Sequence, residues 1–211
     1  TKTTNISQAI CQGSTITFNG NGNTISFSAT NTNERAVIKL KNTKYFIFDS
    51  LTVDATAGTY GFGFHLINNA DSNVIRKCTI NSASNSTTTN FAGIAISGSD
   101  GSATGTGTTL CDYNVIDKNT INGGYYGITM AATFAGGANG YNQITNNIIN
   151  DFYQYGIYVA ASYNTLIESN TIARPTRTNV SEFNGIYFTT QSNTANISKN
   201  KITNPFGGNT A

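Results

Sequence analysis

The sequence predicts an all-β fold, a right-handed parallel β-helix (β-solenoid) whose corners are set by stacked asparagines. Three observations predict it. Gly63, Gly93, Gly127, Gly156 and Gly185 each precede an apolar-x-apolar triplet, and they recur at about 30 residues, the interval of solenoids and propellers. A second phrase ends at Val53, Ile80, Ile121, Ile149, Ile172 and Ile202, with Leu51, Cys78, Asn119, Asn147, Asn170 and Asn200 two residues earlier. The strands between these anchors are short and alternate with period two, as in Phe64-His65-Leu66 and Ile157-Tyr158-Val159, and no segment sustains a helical period. Propeller blades would need hairpin turns and roughly 40 residues each. Short strands with Asn and Gly corners instead stack coil on coil, roughly 4.8 Å apart.

Taken in chain order, residues 1–43 predict irregular first coils, with "TITF" and "TISF" as strands, and residues 44–206 predict the regular ones, all within one domain of residues 1–211. The corner asparagines are expected to adopt the left-handed backbone region. They are also expected to bond amide to amide between coils, with Cys78 and Leu51 continuing the column. The polar, glycine-rich runs "NSASNSTTTNF", "SGSDGSATGTGTTLC" and "AATFAGGANG" are expected to be mobile tips, where solenoids carry their variation. "ARPTRTNVSEFN" concentrates Arg174, Arg177 and Glu182; an Arg–Glu pair pinning that loop is expected, the alternative being a lip for an anionic ligand. The chain stops just after a corner, so flanking solenoid coils or a capping partner are expected at the C-terminal end.

Composition narrows the function classes. The 211 residues carry 10 % charged side chains and a net charge of +2, with the basic residues scattered, which argues against nucleic acid as a partner. No run of about 18 apolar residues occurs, so no membrane insertion is expected. Cys11, Cys78 and Cys111 are odd in number, without a CxxC or a histidine nearby; at most one disulfide can form, and no metal site is expected.

The coils resemble the right-handed parallel β-helix proteins of the pectate-lyase-like superfamily, from about Val37 to Phe206. "YFIFDSLTVDATAGTYGFGFHL" and "NVIRKCTI" are similar to the β-helix surface proteins secreted by Bacteroidetes-type bacteria. The resemblance implies a secreted or cell-surface location. Its scaffold serves lyases, hydrolases, epimerases, tailspikes and adhesins alike. The Gly-His-Gly, Arg-Ile-Lys and Asp-Pro-His-Asp motifs of its enzymes do not occur here.

Two exterior surfaces are candidate sites. On the strand before each corner, Asp49, Arg76, Asp117, Thr145, Glu168 and Ser198 form an outward column, beside Ser50, Lys77, Lys118, Asn146, Ser169 and Lys199. A glycosidase needs two carboxylates about 5–5.5 Å or about 6.5–9.5 Å apart. Asp49 and Asp117 stand two coils apart, about 9.6 Å, with Arg76 between them as an ion-pair partner. A metal-free lyase scheme would draw on Arg76, Lys77, Asp117 and Lys118. A calcium-assisted one would want six or more oxygens, and only Asp49, Asp54 and Asp71 fall loosely together. The other column is His65, Ala95, Thr129, Tyr158 and Tyr187, with His65 expected as a surface residue at its head and Tyr125 and Tyr126 in the loops nearby. Tyrosines one coil apart can stack on sugar rings through their faces while their hydroxyls hydrogen-bond. The expected function is a non-catalytic structural or adhesive module contacting a polysaccharide or cell-surface glycan through His65, Tyr125, Tyr126, Tyr158 and Tyr187. The alternative is a polysaccharide lyase or glycoside hydrolase acting along the charged strip. An ice-binding face would need a repeated Thr-x-Thr array, and Thr15-Ile16-Thr17 is its one strand instance.

Overall fold

The computed structural model describes residues 14–107, 109–190 and 192–208; Cys11 lies outside them. Three parallel sheets run along one axis, and each coil contributes one strand to each. The first sheet stacks Ile16–Asn19, Phe46–Asp49, Val74–Arg76, Val115–Asp117, Gln143–Thr145, Leu166–Glu168 and Asn196–Ser198. The second stacks Thr24–Ser26, Thr52–Ala55, Thr79–Ser82, Thr120–Asn122, Ile148–Asn150, Thr171–Ala173 and Lys201–Thr203. The third, of longer strands, stacks Ala36–Lys41, Gly61–Ile67, Phe91–Ile96, Tyr126–Ala131, Tyr155–Ala160 and Asn184–Thr189. The parallel β-solenoid expected from the repeats is the observed architecture, and "TITF" and "TISF" take the first rungs of two sheets.

Alternation decides what fills the solenoid. In the second sheet Val53, Ile80, Ile121, Ile149 and Ile172 are in register and buried. In the third, Phe64, Ile94, Ile128 and Ile157 form one inward column and Leu66, Ile96, Met130 and Val159 another. The repeated glycine makes room where these columns meet. A Cβ at Gly127 would lie 2.4 Å from Ile149 Cγ2 and 2.6 Å from the carbonyl oxygen of Gly156, contacts no side chain can hold. Cys78 and Cys111 are free, buried thiols. Burial raises both, that of Cys111 to about 12.

The asparagine column is continuous. Asn119 donates from Nδ2 to Asn147 Oδ1 at 3.0 Å, Asn147 to Asn170 at 2.9 Å and Asn170 to Asn200 at 2.9 Å. Each amide oxygen also accepts the preceding rung's backbone N–H, including that of Cys78 at 3.0 Å. The left-handed conformation belongs one residue earlier than expected. Ser50, Lys77, Lys118, Asn146, Ser169 and Lys199 have φ of 52–59°, while the ladder asparagines are not among the positive-φ residues. The turn is made by the exposed corner residue, and the next side chain then points inward to bond along the axis.

A second ladder follows the same rule at the corner between the third and first sheets. Asn73 Nδ2 donates to Asn114 Oδ1 and Asn114 Nδ2 to Asn142 Oδ1, both at 3.2 Å, and Phe46 heads the column with its N–H on Asn73 at 3.1 Å. Here the left-handed residues are Tyr45, Ser72, Tyr113, Tyr141, Asn164 and Thr194.

Candidate functional site

The charged strip forms as the alternation requires, with Asp49, Arg76, Asp117, Thr145, Glu168 and Ser198 in register along the first sheet. Its acids are occupied by their neighbours. Arg76 Nε meets Asp49 Oδ2 at 2.7 Å, and Ser50 donates to Asp49 Oδ1 at 2.7 Å. Asp117 Oδ1 accepts Thr145 Oγ1 and Asn146 Nδ2, both at 2.8 Å, and its other oxygen lies 3.8 Å from Lys118 Nζ. Glu168 accepts Ser198 at 3.0 Å and Lys199 at 2.8 Å. The hydrogen bonds from Ser50 and Arg76 hold the Asp49 carboxyl below the usual range, and those from Lys199 and Ser198 do the same for Glu168. A general acid needs its pKa raised towards neutrality instead. Lys77 and Lys118 project from the left-handed corner into solvent.

The third sheet's outward column is Lys39, His65, Ala95, Thr129, Tyr158 and Tyr187. Its head is not on the surface. His65 is 2 % exposed, because the segment after Ile96 folds down over the sheet. Ala103 packs there against Phe62, Ala92, Ala95 and Tyr126, and Thr129 Oγ1 donates to the Ala103 carbonyl at 2.6 Å. Outward along a strand and solvent-exposed are different properties wherever a second layer is laid on the sheet. The run "SGSDGSATGTGTTLC", expected as a mobile tip, supplies that layer with Ser97, Ala103, Thr109 and Cys111 all buried.

Beneath it His65 Nε2 lies 3.0 Å from Ser97 Oγ, and His65 Nδ1 lies 3.8 Å from Asp100 Oδ1. The constellation has the outline of a nucleophilic triad without its chemistry. Ser97 Oγ donates to the Ser102 carbonyl at 2.9 Å, shared with that of Ser99 at 3.2 Å, so the imidazole N–H points to the serine oxygen. Asp100 is engaged by Lys39. Burial, and then the charge of Lys39, push the imidazole down to about 4, and no solvent reaches the hydroxyl.

Where the overlay stops, the sheet shows tyrosine. Tyr126 and Tyr155 stack at 5.5 Å, and Tyr158 and Tyr187 at 5.6 Å; Tyr155 meets Tyr158 and Tyr187 edge-on at 5.4 and 5.2 Å. Tyr125 lies 4.7 Å from Tyr126 and 5.4 Å from Tyr153. Tyr126 is buried at the overlay's edge, and Tyr187 is exposed. A polar margin borders the rings. Tyr125 donates its hydroxyl to Gln154 Oε1, and Gln154 Nε2 donates to Glu182 Oε2 at 2.8 Å. Burial raises Tyr125, Tyr155 and Tyr158, and Tyr126 to about 12, so these phenols stay neutral donors at physiological pH. The glycine column places two of them, since Tyr126 and Tyr155 open their strands immediately before Gly127 and Gly156.

The family model of the right-handed β-helix region matches residues 83–207. The chain belongs to the right-handed β-helix family. No curated protein and no solved structure matches it.

The loop of this β-helix that carries Arg174 and Arg177 is pinned differently from the expected Arg–Glu pair. Arg174 donates to the carbonyls of Tyr153 at 2.8 Å and Ser181 at 3.1 Å, and also to Pro205. Arg177 reaches those of Asn179 and Ser86, each at 2.7 Å, and Asp151 at 3.0 Å. Both guanidinium groups are buried, and they lie over the rings of Phe183 at 4.8 Å and Tyr153 at 4.9 Å. They act as bolts between coils, and Glu182 goes to the tyrosine margin instead.

One polar row of this β-helix is invisible to strand-by-strand reading. Lys44, Asp71 and Asp112 occupy successive coils just before the second ladder's corner. Lys44 Nζ pairs with Asp71 Oδ2 at 2.7 Å, Asp71 Oδ1 accepts the Asp112 N–H at 3.0 Å, and Asp112 Oδ1 accepts the Gly140 N–H at 2.6 Å. Burial, with Asp71 adding to it, raises the Asp112 carboxyl. Among the described residues no group of three or more His, Cys, Asp or Glu side chains is arranged to hold a metal ion, and no helix is long and apolar enough to cross a membrane.

Proposed function

We propose that this β-helix is a non-catalytic module of a secreted bacterial surface protein that contacts neutral glycans through Tyr155, Tyr158 and Tyr187. The observation that carries the reading is the tyrosine patch on the third sheet, bordered by Gln154 and Glu182. Ring faces offer apolar contact to the C–H faces of a sugar, and the phenols and the Gln154–Glu182 margin offer hydrogen bonds to its hydroxyls. The charged strip supports the structural reading, because its carboxylates are paired and two of them are held ionised. Further coils or a capping partner would cover Ile197 and Ile202, which are exposed.

Glycan-array binding of the wild type against Tyr158→Ala and Tyr187→Ala tests the proposal. Anchoring aromatic side chains contribute about 2 kcal/mol or more, so each substitution is expected to weaken binding by about 30-fold, with thermal unfolding of each variant separating this from any loss of packing at the half-buried Tyr158. Equal binding by both variants would remove the patch from the interface. Product release from uronate or neutral polysaccharides, abolished by Lys77→Ala, Lys118→Ala, Arg76→Ala or Asp117→Asn, would overturn the non-catalytic reading.

A further inference from the structure

A different corner carries a second aromatic row with one rung missing. Tyr45, Ser72, Tyr113 and Tyr141 immediately precede the second ladder's residues, so they stand in one column on consecutive coils. They share one backbone conformation, with φ of 64°, 55°, 58° and 56°, and their Cβ atoms therefore leave the solenoid in the same direction. Tyr113 and Tyr141, one coil apart, stack face to face with centroids 4.7 Å apart and planes 2° from parallel. Tyr45 is two coils from Tyr113, about 9.6 Å along the axis. Between them stands the half-buried Ser72, a small side chain where the neighbouring coils carry a tyrosine ring. The flanking rings are open to solvent, Tyr113 at 54 % and Tyr45 at 36 % exposed.

We infer that the interval between Tyr45 and Tyr113, floored by Ser72, is a binding slot for a single neutral pyranose ring. A guest centred in it lies about 4.8 Å from each flanking ring, close to the spacing of the Tyr113–Tyr141 pair. A sugar chair presents C–H groups on both faces, which suit tyrosine faces on both sides, and hydroxyls around its rim. The rim is where this column is polar, with the Ser72 hydroxyl in the gap and the Lys44–Asp71 ion pair and Asp112 in the adjoining row. Two carboxylates against one ammonium make that row a poor partner for a uronate, and the Ser72 hydroxyl is a hydrogen-bonding partner that a flat aromatic guest would leave unused.

The slot is independent of the third-sheet patch, so the two can be tested apart. Ser72→Tyr completes the row in a backbone conformation that three tyrosines of the column already hold, and fills the gap without disturbing the ladder. Methyl glucopyranoside, galactopyranoside and mannopyranoside are titrated into the wild type, Ser72→Tyr, Tyr113→Ala and Tyr187→Ala. Binding is followed by tyrosine fluorescence and by saturation-transfer NMR, with phenol and methyl glucuronoside as comparison probes. The expected result is millimolar binding of at least one neutral pyranoside, weakened at least tenfold in Ser72→Tyr and about fivefold in Tyr113→Ala, and unchanged in Tyr187→Ala. Absence of pyranoside binding, retention of it in Ser72→Tyr, or preference for phenol or the glucuronoside would each overturn the assignment. Loss confined to Tyr187→Ala would place binding on the patch and equally overturn the slot.

Discussion

Replacing Asn147 by leucine removes one rung of the buried ladder while keeping the branched heavy-atom skeleton of the side chain. The amide makes four hydrogen bonds. Its oxygen accepts the Asn119 N–H and one Asn119 Nδ2 proton, both at 3.0 Å, and its nitrogen donates to the Ile116 carbonyl and Asn170 Oδ1, both at 2.9 Å. Leucine orphans two buried donors on Asn119. Asn170 Oδ1 keeps a partner, because the backbone N–H of residue 147 still reaches it at 2.9 Å. An unsatisfied buried donor costs about 1–3 kcal/mol, so two cost about 2–6 kcal/mol. At roughly 2–4 °C per kcal/mol for a chain of this size, a loss of about 4 kcal/mol lowers Tm by about 8–16 °C. Thermal and urea unfolding followed by circular dichroism measure it. The matched control is Cys78→Asn, at the head of the same column. Cys78 Sγ already lies 3.7 Å from the Phe48 carbonyl, where an asparagine Nδ2 would donate, and Asn119 Oδ1 stands on the next coil. Cys78→Asn is expected to keep or raise Tm. A Tm loss under about 2 °C for Asn147→Leu, or equal losses for the two variants, would refute the ladder energetics.

Two further outcomes follow from packing and titration. Gly127→Ala drives a Cβ to 2.4 Å from Ile149 Cγ2 and should destabilise by about 1–3 kcal/mol, whereas Gly22→Ala, with nothing within 4 Å at φ 78°, meets only the left-handed strain; equal urea midpoints would contradict this. His65, the one histidine, falls from 6.5 to about 4 on folding. The unfolded chain therefore binds the extra proton, so stability is full above pH 6.5 and declines as pH falls towards 4, by about 3 kcal/mol in all. His65→Asn should lose that part of the pH dependence of the urea midpoint, and parallel curves for the two proteins would count against it.

The coil repeat was legible because period-two alternation and the glycine column leave separate marks on the sequence. The first ladder was legible for the same reason, with Asn119, Asn147, Asn170 and Asn200 at one fixed offset from the buried isoleucine. The second ladder hid behind a slipped match. "YN" precedes the first-sheet strand at Tyr113-Asn114 and Tyr141-Asn142, but in "YNTL" the ladder position is Thr165, and Asn164 takes the left-handed corner. The burial of His65 leaves no mark in the strand pattern, because alternation tells which way a side chain leaves its strand and nothing about what lies over it. Asp71 and Asp112 went unpaired because the segment between Ile96 and Val115 separates two residues that are one coil apart in space. The partners of Arg174 and Arg177 are hidden from sequence because a guanidinium with five donors is satisfied as well by the carbonyls that loops leave unpaired as by an acid.

The amide ladders also have a direction. Asn73 to Asn114 to Asn142, and Asn119 through Asn147 and Asn170 to Asn200, all donate towards the higher-numbered coil. A half-buried row on the second sheet runs the other way, with Asn150 donating to Asn122 and Asn122 to Asn81. Head-to-tail amides polarise one another, and one flipped rung would set oxygen against oxygen on one side and N–H against N–H on the other. The orientation of one buried amide thus dictates all the others, which gives the solenoid a built-in arrow along its axis.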